Sequence, residues 1–162
     1  MRICPVWLAT ILCVGFPTQV LAVENRWTAG YGAGGFFSEV DGTRGTNLAL
    51  YCNPWIDARP AGRLIKLPPT VIDAEDRFYE ITISFSDGEM NFVMLLTQGQ
   101  ALQFSARGDE KFGALKELAA RIKASDGFSA SSKDLGWSDD FSSENAGPGI
   151  GNLLDCTPPD LN

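Results

Sequence analysis

The chain has 162 residues, with 13 Lys and Arg against 20 Asp and Glu, a formal net charge of -7 and no histidine. The acidic balance argues against nucleic acid and anionic lipid as partners, because both are held by clustered Lys and Arg. Without histidine there is no Ser-His-Asp or Cys-His catalytic set and no histidine-ligated metal.

Residues 1–22 have the layout of a secretory signal peptide. Met1-Arg2 is a short positive end, Val6 to Phe16 an apolar run, Pro17 a break, and Val20-Leu21-Ala22 a cleavage site before Val23. The run falls short of the roughly 20 residues that span a bilayer as a helix. The expected location is therefore periplasmic or secreted, with no stable membrane insertion after cleavage. Residues 23–162 are expected to form a single β-rich domain around one core. Cys4 and Cys13 leave with the signal. In an oxidising compartment Cys52 and Cys156 are expected to pair. A disulfide closing about 100 residues stabilises by about 4.7 kcal/mol on the chain-entropy account. The chain has no Cys-x-x-Cys spacing, which disfavours a metal or redox pair.

After an extended segment around Trp27, a core candidate, comes the glycine-rich stretch Gly30 to Gly35, and Asp41 to Gly45 reads as a turn. Asn47 to Asn53 alternates as a strand, with Leu48, Leu50 and Cys52 on one face. Asn53-Pro54-Trp55 ends it. Pro60, Pro68 and Pro69 leave room only for a short edge strand at Arg63 to Leu67. Phe78 to Phe85 is the clearest strand, with Tyr79, Ile81, Ile83 and Phe85 on one face. An Asp87-Gly88 turn returns the chain through Met90 to Thr97, and Gln98-Gly99-Gln100 turns it again into Ala101 to Ala106. These three strands predict a meander.

Asp109 is placed to cap a helix from Glu110 to Ala124, whose Phe112, Leu115, Leu118, Ala119 and Ile122 form one stripe. Phe128 to Ser132 reads as a short strand. Lys133 to Gly149 reads as a polar, acidic loop with Trp137 and Phe141 as apolar anchors. Ile150, Leu153 and Leu154 predict a short last helix ending at Cys156, followed by a loose tail from Thr157. The pattern predicts a mainly antiparallel β fold, a sandwich or partly open barrel, with one central and one C-terminal helix. The disulfide would pin that short last helix, marginal alone, onto a core strand.

Gly30, Gly32 and Gly35 match the spacing of a dinucleotide-binding loop, but no helix or βαβ unit follows them, so no cofactor is expected. Carboxylates cluster at Asp134, Asp139, Asp140 and Glu144 and at Asp73, Glu75 and Asp76. A glycosidase needs two such groups across a cleft, and calcium takes oxygen ligands of this kind. Neither cluster has the spacing of the 12-residue calcium loop. In predicted loops, solvated acids are the ordinary outcome. Phe36, Phe37, Trp55 and Trp137, with the acids Asp139 and Asp140, are the candidate partner-binding residues, because exposed aromatics anchor protein partners.

The layout resembles the invasion-associated locus B family of exported bacterial proteins. The likeness is carried by Trp27, by the strand Leu48-Ala49-Leu50-Tyr51-Cys52, by the meander and by the late stretch Gly149-Ile150-Gly151-Asn152-Leu153-Leu154-Asp155-Cys156. The envelope accessory proteins of contractile secretion systems share a similar general plan. Either resemblance implies a non-enzymatic β-sandwich in the periplasm or at the cell surface, and names no catalytic residue. The function expected is a non-enzymatic exported envelope protein that binds another protein. Two alternatives stand beside it: an acidic inhibitor of a basic envelope-degrading enzyme such as lysozyme, and a carboxylate-dependent glycan hydrolase.

Overall fold

A computed structural model of the chain describes residues 25–32, 35–52, 55–60, 75–97, 101–106 and 109–154, with the backbone alone at 55, 58–60 and 152–154. The expected signal peptide, the edge strand at 63–67, the turn at 98–100, Cys156 and the tail lie outside these residues. Nine strands and two helices follow in the order β1 (Thr28–Gly32), β2 (Gly35–Asp41), β3 (Thr46–Tyr51), β4 (Trp55–Pro60), β5 (Phe78–Phe85), β6 (Gly88–Thr97), β7 (Ala101–Ser105), α1 (Asp109–Ala124), β8 (Gly127–Ser132), β9 (Trp137–Ser142) and α2 (Ala146–Leu154).

Strict alternation builds the centre of the sheet. In β5 the residues Tyr79, Ile81, Ile83 and Phe85 are buried and their neighbours are not. β6 answers with buried Phe92, Met94 and Leu96, and Ile81 stands across from Phe92. The turn at Asp87-Gly88 joins them, with Gly88 at φ 143°, a backbone region that side chains disfavour. β7 completes the meander beside β6.

The strands form one sheet in the order β1-β2-β3-β4-β7-β6-β5-β8-β9, and every neighbouring pair is antiparallel. The sheet curls into a half-barrel, so of the two expected architectures the molecule adopts the partly open barrel. The helix α1 buries the five stripe residues named from its sequence. They join the inward side chains of the strands, and Ile150 of α2, in one cluster. Fully burying a large apolar side chain contributes about 1.5–3 kcal/mol, which outweighs the weak propensity of so short a helix as α2. That helix packs on α1, β1 and β2.

Three strands differ from the reading of the sequence. β2 has small Ser38 at a fully buried position, because Gly149 of α2 approaches there: a Cβ on Gly149 would lie 2.4 Å from Ser38 Oγ. β3 ends at Tyr51, ahead of the Asn53-Pro54-Trp55 stop, but Trp55 then begins β4, a strand the sequence reading did not place, which buries Asp57 between β3 and β7. β9 lies inside the segment expected to be an acidic loop. Its Trp137, Asp139 and Phe141 alternate inward, with an aspartate in the slot that an apolar residue would fill.

Candidate functional site

The two ends of the sheet place the candidate residues. At the β9 end, Asp139 is completely buried. Its Oδ1 accepts from Arg44 N–H at 2.8 Å, from Asp140 N–H at 2.8 Å and from the Thr43 hydroxyl at 3.2 Å. Its Oδ2 accepts from Thr46 N–H at 2.9 Å. The carboxylate thus ties the β2–β3 turn to the last strand. Charge-assisted bonds of this kind compensate the burial of a charge. Gly42 makes room for it, since a Cβ there would sit 2.6 Å from the carboxylate. Trp137 donates from Nε1 to Thr46 Oγ1 at 3.1 Å and is also buried.

Backbone groups of β9 are taken up in the same seam. Thr43 N–H donates to Asp140 O at 2.9 Å, Trp27 Nε1–H to Ser142 O at 2.8 Å, and Ser142 N–H to Asn25 Oδ1 at 2.9 Å. Trp137 and Asp139 are therefore parts of a closure that brings the far end of the sheet against the β2–β3 turn. Their expected exposure in an acidic loop is corrected, because the strand turns both side chains inward. Asp140, on the opposite face of β9, is exposed.

Among the described residues the acidic side chains do not converge. Asp134, Asp140 and Glu144 are exposed while Asp139 is buried, so alternation divides the cluster. Among the described residues no group of three or more Asp, Glu, Cys or His converges as a metal site. Glu75 and Asp76 are exposed, and Asp73 lies outside the described residues. Cys52 is half-buried and packs against the core.

At the opposite end, β1 and β2 form a hairpin with Gly32 across from Gly35. Its aromatic side chains fall on two faces. Tyr31 and Phe36 are register partners on one face, with ring centroids 5.2 Å apart in an edge-to-face contact. They are 69% and 47% exposed, an unusual state for a packed aromatic pair. Phe37 lies on the other face, half-buried, with its ring 6.2 Å from that of Tyr51 and its edge over Gly30. The candidates Phe36 and Phe37 are thus adjacent in sequence and opposite in direction. Trp55 stands across from Tyr51 in the ladder. Tyr31 escaped the sequence reading. The signal for it was an aromatic residue inside a glycine run, in hairpin register with Phe36.

A second apolar exposure lies on the outer face of the meander. Phe78 and Val93 are 67% and 61% exposed and line a shallow hollow of about 380 Å³ with Leu95, Gln103 and Lys111. Among the described residues no helix is long and apolar enough to cross a membrane. Compared with known proteins, the chain matches no family model, no curated protein and no solved structure.

Proposed function

We propose that this is a non-enzymatic exported protein of the bacterial envelope that binds another protein through the β1–β2 hairpin. The observation that carries the reading is the Tyr31–Phe36 pair, a preassembled aromatic contact left largely in solvent at the end of the sheet. Aromatic anchors of this kind supply contact area at low entropic cost. The engagement of Asp139 by four donors also supports it, since that carboxylate is taken up in holding the β2–β3 turn to β9. The signal-like residues 1–22 and the resemblance to exported proteins support an envelope location. A Cys52–Cys156 disulfide belongs to the same proposal.

The test is a photo-reactive phenylalanine analogue placed at position 31 or 36 and activated in intact cells of the host. One dominant protein adduct is expected, absent when the analogue sits at Glu80 on the outer face. Hydrolysis of envelope glycans by the purified protein, abolished by Asp140→Ala, would overturn the reading.

A further inference from the structure

The way β2 bonds to its neighbours settles which groups of β1 are open. Cys52 N–H donates to Phe36 O at 2.7 Å, so the polar groups of Phe36 turn toward β3. In an antiparallel ladder, the partner of such a residue turns its own N–H and C=O away from the strand they share. Tyr31 is that partner, and Ala29 lies two residues before it on the same side. Both are exposed, and none of residues 28–32 has a hydrogen bond beyond the β2 ladder. An open edge of this kind is a template for another strand unless charge, proline or a cover protects it. β1 reads Thr-Ala-Gly-Tyr-Gly and has none of the first two. The far edge at β9 is occupied by Asn25, Trp27 and Thr43.

We infer that β1 takes up an extended segment of the partner protein as a tenth strand, and that this segment alternates apolar with basic residues. The inference rests on the protein-binding reading above. On the face of Ala29 and Tyr31, Gly149 of α2 lies against Ala29, and past that helix an added strand meets the exposed Tyr31–Phe36 pair, which suits an apolar side chain there. On the opposite face stands Glu39, the register partner of Thr28, with no ion pair. Arg26, just before the strand, is already paired with Glu144 at 3.3 Å. The uncompensated charge beside the edge is therefore negative and favours Lys or Arg on that face of the incoming strand. A second copy of this chain is the poorer occupant, because both molecules carry a net charge of -7.

The probe is a displayed library of short random peptides, selected on the full protein. Enriched peptides are expected to alternate apolar and basic residues and to slow amide hydrogen exchange at Ala29 and Tyr31. Ala29→Pro removes an outward donor without breaking a bond to β2, and proline is tolerated at such edge positions. It should weaken these peptides about tenfold or more. Glu39→Lys should shift selection from basic to acidic peptides, a readout that does not depend on the proline variant folding. Peptides that protect the Phe78–Val93 hollow instead would overturn the edge inference and leave protein binding standing. Failure to enrich any peptide would count against both. Concentration-dependent dimers broken by Ala29→Pro would replace the foreign strand with a second copy.

Discussion

The two edges of this sheet treat the same problem in opposite ways. At β9, outward backbone groups of Asp140 and Ser142 are bonded by residues from the start of the described chain and from the β2–β3 turn. At β1, the outward groups of Ala29 and Tyr31 have no hydrogen-bond partner among the described residues. Both strands are short, and neither difference lies in length or in β propensity. What separates them is the supply of neighbours. The β9 edge has a buried carboxylate that organises a turn against it, whereas no described residue bonds to the outward groups of the β1 edge beside its glycine-flanked hairpin. Edge protection is thus built from tertiary contacts, strand by strand.

The largest test of that contrast is Asp139→Ala. It leaves the Arg44 and Thr46 N–H groups without their acceptor and opens a void in the seam. A loss of about 3 kcal/mol or more is expected in urea unfolding. A change below about 0.5 kcal/mol would mean that the carboxylate does not hold the seam. Next is Gly42→Ala, whose new methyl group would crowd the same carboxylate and cost about 1–3 kcal/mol. In an Asp139→Ala background most of that cost should vanish, so the double-mutant cycle is expected to be strongly non-additive. Trp27→Phe removes the bond to Ser142 O and should cost about 1 kcal/mol, read from the same unfolding curves.

On the open side, Tyr31→Ala and Phe36→Ala should each change stability by about 0.5 kcal/mol or less, because the rings are largely in solvent. A large loss at either would make the hairpin a structural element and blur the comparison. The smallest effect lies away from both edges. Arg121 donates to Asp87 and lies 4.6 Å over the Phe85 ring. The hydrogen bond from Arg121 holds the Asp87 carboxyl below its ordinary value. A lowered folded-state value makes this contribution present above the ordinary aspartate range and lost as pH falls through the lowered value. Carboxyl NMR titration should show the depression, and Arg121→Leu should remove it.

The legible parts of the fold share one property. β5, β6 and α1 each carry their burial pattern within a single run, at period 2 or as a helical stripe, and apolar residues occupy every inward slot. β2 and β9 have the same period but fill inward slots with Ser38 and Asp139. A polar residue in the core is legible only through its partner, and those partners are remote. Asp57 in β4 is buried on the face opposite core residue Ile56, where no periodicity within the strand announces it. The candidate site divides along the same line: Phe36 was visible as one of two adjacent aromatics, while the role of Tyr31 depended on hairpin register.

By itself the sequence determined the β class, the central meander and the long helix, because burial there is repaid by local periodicity. The order of the strands, the half-barrel and the contrast between its edges were decided by tertiary structure. Thr46 and Asp139 meet across 93 residues of sequence, and α2 reaches β2 only because Gly149 faces Ser38. Such contacts depend on which remote group arrives to satisfy a buried charge or fill a small gap, and no periodicity within either segment encodes that arrival.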